Sequence, residues 1–309
     1  MYEQPITGGI IAAASKRDAY PLLKLGSITA VRRVVLTFQQ AGVSPVVIIT
    51  GYDAEEIERQ LADAGVIFLR NENYEKPQLF ESIKIGLSYL FNKCDRVVVT
   101  PVNVPMFSPD TLKKLMEAEG GIITPSYLGK AGHPVLLHKD VIPDVLAYDG
   151  LMGLRGALAA LESKRKWVNV EDEGILHNVY DLDRLNEHLD EHNRSILHPL
   201  VRLSIERETL FFNARTKLLL ILIEDTQSVR SACDHMALSY GKAWEMLNAL
   251  EQELGYPVVH RRHGGSRGGR TRLTDQGKAF LSAYEQFEQN VRGYAQKEFE
   301  RLFREGKLL

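Results

Sequence analysis

The stretch "GGIIAAASKRDAYPLLKLGS", Gly8 to Ser27, reads as strand, loop and the start of a helix. The apolar run Ile10 to Ala14 suits a buried strand, and a polar, basic stretch (Ser15, Lys16, Arg17) follows it. In an α/β domain this is where phosphates bind, because N–H groups at a helix start point at the anion and the helix dipole favours it. Such loops normally carry glycines, which allow φ > 0 and close approach of the phosphate. Here the glycines precede the strand, and Ile10 to Leu25 contains none. The loop is in the right place with the wrong residues.

Outward from that stretch, short apolar runs alternate with amphipathic segments as far as residue 185. The pattern predicts strands over Gly9–Ala14, Pro45–Gly51, Val66–Asn71, Arg96–Val102, Gly121–Pro125 and His133–His138. Between them it predicts helices over Ala30–Ala41, Ala54–Ala64, Pro77–Phe91 and Pro109–Ala118. Runs that are apolar throughout suit strands covered on both faces by helices. The expected fold is α/β, a doubly wound, mainly parallel sheet with ligands at the carboxyl ends of its strands.

At 309 residues the chain has room for two domains. Its 44% hydrophobic and 25% charged content is ordinary for a globular protein. Two cysteines, Cys94 and Cys233, stand far apart, which argues against a disulfide framework or a cysteine zinc site and fits a reducing cytoplasm. The first residues lack a secretory layout, and no apolar run nears the roughly 20 residues that span a bilayer. "LLLILI", Leu218 to Ile223, suits a core helix. No membrane partner is expected.

After Leu185 the texture changes. "LNEHLDEHNRSILHP" suggests a connecting helix with a linker, and from Val201 onward the pattern is almost entirely helical. The expected division is a first domain over 1–192, a linker over 193–203 and a mostly helical second domain over 204–309. Within the second, Ser228 is placed to cap a short helix ending at His235, and a tight turn spans Met236–Ser239. A second helix from about Tyr240 to Leu254 has Ala243, Leu247, Leu250 and Leu254 on its inner face. That is helix-turn-helix spacing, and the second helix presents Ser239, Tyr240 and Lys242 to a major groove. "PVVHRR" and "RTRLT" then read as two strands joined by "HGGSRGG". Five arginines (Arg261, Arg262, Arg267, Arg270, Arg272) and no acid lie between His260 and Arg272, a clamp for DNA phosphates. Alone, such a loop is more often merely solvated; beside the helix-turn-helix it reads as the wing of a winged helix. Trp244 reads as core rather than as a base-stacking residue.

The segment from about Ser204 to Phe287 resembles the DNA-binding domain of the ModE-type molybdate-responsive regulators, relatives of the LysR-type winged helices. "SVRSAC", "SYGKAW", "RRHGGSRGGRTRLT" and "GKAFL" carry the resemblance. It implies a homodimer reading a palindromic operator on double-stranded DNA. The small barrel domains that bind molybdate in that family have no counterpart here. Along the long C-terminal helix, Phe280, Tyr284, Phe287, Val291 and Tyr294 are spaced 4, 3, 4, 3, a seam for a short coiled coil with a second copy. The alternative for that seam is packing on the chain's own core.

Residues 6–190 resemble the NTP-transferase domain that makes molybdopterin guanine or cytosine dinucleotide. Four landmarks carry this resemblance in order: "AAASKRDAYPLLKLG", "PVNVP", Gly132-His133-Pro134 followed by "GLMG", and "NVYDLDRL". Nucleotidyl transfer places Mg²⁺ between carboxylates and phosphates. The resemblance puts the family's metal aspartates on Asn103, Leu151, Asn178 and Tyr180, none of them acidic. Its loop glycines fall on Ala13 and Ala14, its lysine on or beside Tyr20, and Ser15 and Arg17 keep the S-x-R form. Lys24 is an alternative phosphate partner, and His133 either lines the pocket or caps a turn. Asp181 and Asp183 are shifted from the lost positions and read as solvated charges.

The expected ligand-binding set is therefore Ala13, Ala14, Ser15, Lys16, Arg17, Lys24, Asn103 and His133, with no catalytic residue, no metal and no cofactor. The expected function is a DNA-binding regulator whose degenerate transferase-like domain senses a nucleotide, a pterin, an oxyanion or a partner, with a link to molybdenum or its cofactor. The alternative is an active Mg²⁺-dependent transferase that also binds DNA; a third reading is a DNA-bound scaffold without a ligand.

Overall fold

Strand β1 (Thr7–Ala12) is buried at all six residues and hydrogen-bonded on both sides. In the computed structural model, which describes residues 5–15, 21–75, 79–261 and 270–305, the chain forms two compact units, Met1–Leu197 and His198–Leu309. After β1 the first unit continues through the short hairpin β2 (Lys24–Leu25) and β3 (Ile28–Thr29), then α1 (Ala30–Gln40), β4 (Val46–Thr50), α2 (Ala54–Leu61) and β5 (Ile67–Arg70). Next come α3 (Leu79–Leu90), β6 (Arg96–Pro101), α4 (Pro109–Glu117), β7 (Ile122–Tyr127), β8 (Lys130–Ala131) and β9 (Val135–His138). It closes with α5 (Ile142–Ala147), α6 (Gly153–Ala160), β10 (Arg165–Asn169), α7 (Leu182–Glu187) and α8 (Leu189–Ser195). The expected helix start at Pro77 lies outside the described residues.

The main sheet runs β10-β7-β9-β6-β1-β4-β5, with β8 paired to β7. β1 is parallel to β4 and to β6, with Ile11 opposite Ile48 and Thr100. The 133–138 segment enters as the antiparallel strand β9, between β6 and β7, so the sheet is mixed but mainly parallel. The doubly glycine start of β1 has a packing reason. A Cβ on Gly9 would lie 2.4 Å from the Phe38 ring, so the bare backbone lets α1 sit directly on the strand. Phe38, Val34 and Val31 of α1 are all fully buried there, each contributing about 1.5–3 kcal/mol of apolar burial.

The segment read as a connecting helix is two short helices, α7 and α8, that belong to the first unit. Arg33 of α1 is buried and donates to His192 Nδ1 at 2.9 Å, to Asn193 Oδ1 at 2.8 Å and to the Leu25 carbonyl at 2.7 Å. The expected linker start at residue 193 therefore falls inside a docked helix, and the division comes after Leu197.

The second unit is not helical from its start. An antiparallel pair, β11 (Ser204–Glu206) and β12 (Leu210–Asn213), precedes α9 (Ala214–Thr226), whose cap is the Asn213 side chain. Then come α10 (Val229–His235), α11 (Tyr240–Leu254), the antiparallel strands β13 (Val259–Arg261) and β14 (Thr271–Leu273), and α12 (Asp275–Phe299). α9 contributes Leu219, Leu220, Leu222 and Ile223 to the core, as the apolar run predicts. Among the described residues, no helix is long and apolar enough to cross a membrane.

Candidate functional site

At the carboxyl end of β1, Ala13 and Ala14 are buried and joined to β4 and its following turn, through Ala13 N–H to Ile49 O (2.9 Å) and Tyr52 N–H to Ala14 O (3.0 Å). Ser15 is half-buried. Lys16 and Arg17 lie outside the described residues. Lys24 sits exposed on the small β2–β3 hairpin, opposite Thr29.

The later landmarks meet through the backbone. Val179 N–H donates to Asn103 O at 2.9 Å, and His133 N–H donates to Ile175 O at 3.0 Å. The 173–179 loop is thus threaded between the loop after β6 and the turn before β9. Gly174 makes this possible, since a Cβ there would lie 2.1 Å from the Met106 carbonyl oxygen. Asn103 Oδ1 and His133 Nδ1 are buried without a hydrogen-bond partner. Burial holds the His133 ring neutral, its pKa pushed down to about 4. His133 therefore lines the interior rather than capping a turn by its side chain.

Mg²⁺ does not fit the residues at the transferase metal positions. The Leu151 side chain is apolar and 85% exposed, and Tyr180 is 58% exposed. Asn178 Oδ1 accepts from the Tyr180 N–H at 3.2 Å, so it serves a turn. Of the neighbouring acids, Asp181 caps α7 by accepting from the Arg184 N–H, and Asp172 accepts from the Ser108 N–H and the Thr111 hydroxyl. A hard divalent cation wants several carboxylate oxygens, and none is offered at these four positions.

A cleft of about 590 Å³ opens beyond β4 and β5, lined by Gly51, Asp53, Glu55, Glu56, Glu72 and Tyr74 among others. The two arginines on its wall are committed: Arg59 pairs with Glu56, and Arg70 with Glu58 at 2.7 Å. The sequence reading missed this cleft, because its acids are spread over two loops that only the sheet brings together. The strand ends at Gly51 and Asn71 were the available signal.

In the second unit, Ser228 caps α10 by accepting from the Ser231 N–H, and Ser239 caps α11 by accepting from the Lys242 N–H at 3.3 Å. Ala243, Leu247 and Leu250 are fully buried and Leu254 is half-buried, so α11 turns the expected face inward. Ser239, Tyr240 and Lys242 are exposed at its start. Lys242 Nζ pairs with Glu245 at 2.9 Å.

The wing arginines divide. Arg270 and Arg272 are exposed; Arg262 and Arg267 lie outside the described residues. Arg261, expected on phosphate, is instead engaged within the unit. It pairs with Glu251, donates to Asn248 Oδ1 at 2.8 Å and lies over the Trp244 ring at 4.9 Å. Glu251 also accepts from the Val258 and Val259 N–H groups, so this group braces β13 against α11. Trp244 is half-buried, with its ring in edge contact with Tyr240 and a cation above it, rather than core.

The aromatic seam on α12 also divides. Phe280 and Tyr284 both meet Phe212 edge-on, at 4.9 and 4.7 Å between ring centres, and the Tyr284 hydroxyl donates to Leu203 O at 2.8 Å. These two therefore pack on the unit's own core, Tyr284 buried and Phe280 half-buried. Phe287 (49% exposed) and Tyr294 (68% exposed) face solvent, with Val291 half-buried between them.

Residues 17–166 match the MobA-like NTP transferase domain, and residues 218–278 match the bacterial regulatory helix-turn-helix of the lysR family. The molybdenum-pterin-binding protein MopB of Rhodobacter capsulatus is 34% identical over 87 residues, 28% of this chain and 32% of that protein. The transcriptional regulator ModE of Haemophilus influenzae is 30% identical over 82 residues, 26% of this chain and 32% of that protein. The chain thus spans only 32% of the length of either curated relative. A nucleotidyl transferase from Methanothermobacter thermautotroptrophicus shares the fold with a TM-score of 0.52 and 21% identity, over 60% of this chain and 98% of its own. The chain therefore joins a MobA-like NTP transferase domain, at residues 17–166, to a lysR-type helix-turn-helix, at residues 218–278.

Proposed function

We propose that this chain is a DNA-binding transcriptional regulator whose transferase-like unit senses a small molecule instead of transferring a nucleotide. The observation that carries the first half is the start of α11, where a capped helix end leaves Tyr240 and Lys242 exposed, in the unit that also exposes Arg270 and Arg272. Helix N-termini of this kind read base edges in a major groove, and wing arginines hold phosphates. The second half rests on the lack of carboxylates at Asn103, Leu151, Asn178 and Tyr180. Binding needs shape and a few polar groups, not a held Mg²⁺.

The ligand we favour is a nitrogen-rich ring, a nucleotide base or a pterin. The cleft beyond β4 and β5 carries the acids Asp53, Glu55 and Glu72 beside Tyr74, a lining that accepts N–H donors and offers aromatic contact to a flat ring. A bare oxyanion would meet like charge there. The names of the curated relatives point the same way, towards molybdenum or its pterin cofactor. A homodimer on a palindromic operator, at work in the cytoplasm, completes the proposal. The exposed remainder of the α12 seam, Phe287, Val291 and Tyr294, would join the two copies.

The test selects binding sequences for the full chain from random duplex DNA, then repeats binding with nucleotides, pterins and oxyanions. An inverted repeat with half-sites about 34–36 Å apart is expected. One ligand class should change affinity about 5–150-fold, the usual range of coupling. Failure to enrich any sequence would overturn the DNA-binding half. Mg²⁺-dependent release of pyrophosphate from GTP, CTP or ATP would replace the sensor half with a working transferase.

A further inference from the structure

Among the described residues, one group of side chains has the make-up of a metal site, and it lies outside the four transferase metal positions. Glu173 opens a single 3-10 turn (Glu173–Leu176), His177 closes it, and His188 stands at the junction of α7 and α8. One ligand atom from each lies within 4.8 Å of the others. His177 Nε2 is 3.7 Å from Glu173 Oε1, and His188 Nε2 is 3.4 Å from Glu173 Oε2. Three ligands of a tetrahedral ion at about 2.0–2.1 Å stand roughly 3.3 Å apart, so only small shifts would close this set around one.

One hydrogen bond sets the orientation of His188. The Arg184 carbonyl, 3.0 Å from His188 Nδ1, can only accept, so Nδ1 carries a proton and Nε2 is the nitrogen that faces Glu173. A histidine anchored through its other nitrogen is the usual arrangement of a ligating imidazole. His177 is buried, and neither of its ring nitrogens has a hydrogen-bond partner. Buried polar atoms are almost always satisfied, and an imidazole nitrogen left unbonded beside a carboxylate is a place for a cation. The turn itself is clamped by Gly174 against the Met106 carbonyl and by the bonds from His133 and Val179.

We propose that Glu173, His177 and His188 bind a divalent transition metal ion of the zinc class, independently of the DNA-binding reading. Two imidazoles and one carboxylate select against Mg²⁺ and Ca²⁺, which take oxygen ligands. Three protein ligands leave a fourth position for water or an exogenous donor. Arg184 now pairs with Glu173 Oε1, and its guanidinium is half exposed, so it can swing away when the cation enters. Bound metal would tie the 173–177 turn to the α7–α8 junction.

The experiment uses the full chain, free of any purification tag and stripped with EDTA, titrated with ZnCl2 against a chromophoric zinc indicator. One zinc per chain is expected, with a raised Tm. His188→Gln should weaken binding at least about tenfold with an unchanged circular dichroism spectrum, while His138→Gln, a histidine paired with Asp140, should change nothing. Arg184→Gln removes the competing cation from an exposed position and should tighten binding several-fold. No stoichiometric zinc, equal binding by wild type and His188→Gln, or weaker binding by Arg184→Gln would each overturn the assignment.

Discussion

Arg33 donates a hydrogen bond to His192 Nδ1 at 2.9 Å, and His192 Nε2 reaches the Phe107 carbonyl at 3.1 Å. Because the carbonyl only accepts, Nε2 carries the proton and Nδ1 offers its lone pair to the guanidinium; the ring is neutral. Burial, reinforced by the Arg33 charge, pushes the His192 pKa down to about 4.

The pH dependence of the first unit follows from that neutral ring. An unfolded histidine takes up its proton near pH 6.5, whereas the folded His192 resists until about 4. Stability is complete above pH 6.5, declines as pH falls from 6.5 towards 4, and levels off below. The loss from His192 alone is about 3 kcal/mol, and His133, its pKa lowered as well, acts in the same direction. Urea unfolding of the first unit across this range should show the decline, and His192→Gln should flatten it by about one proton. An unchanged slope in that variant would place the pH dependence elsewhere.

Gly174→Ala should destabilise the first unit by at least about 2 kcal/mol, because the obstacle is the Met106 backbone rather than a movable side chain. Thermal unfolding measures it. A Tm within a degree of wild type would mean that the 173–179 loop is not clamped as described.

The wing arginines should separate by their partners. Arg270→Ala and Arg272→Ala should each lower the slope of log affinity against log salt by about 0.9. Arg261→Ala should leave that slope nearly unchanged and cost about 1 kcal/mol of stability, since its side chain is spent on Glu251, Asn248 and Trp244. A full loss of slope in Arg261→Ala would show that DNA pulls this guanidinium off its partners.

Two positions on one helix should behave oppositely. Phe280→Ala should destabilise the second unit by about 2 kcal/mol through lost contact with Phe212. Phe287→Ala with Tyr294→Ala should leave its melting nearly unchanged, as exposed positions do, and shift sedimentation towards monomer. A dimer insensitive to the double substitution would remove the exposed seam from the interface.

Much of the architecture was legible in the sequence. Unbroken apolar runs such as "PVVIITG" and "RVVVTPV" marked strands covered on both faces, and Ser228 marked a helix start. These are local signals, set by side-chain period and by a hydroxyl one turn from the N–H it caps. The four non-acidic landmark positions were likewise a matter of residue identity. What the sequence could not reveal was who spends which side chain on whom. That Gly9 before the loop serves to seat Phe38 shows only in the packing. Arg261 looked free and is bound; Phe280 and Tyr284 fit a heptad and face Phe212. His177 and His188 are 11 positions apart in sequence, and their rings stand 4.3 Å apart only because α7 folds back over the 173–179 loop. Local periodicity by itself determined the elements and their order. Only the tertiary structure decided the partners, because charge pairing, ring stacking and ligand geometry depend on distances between residues far apart along the chain.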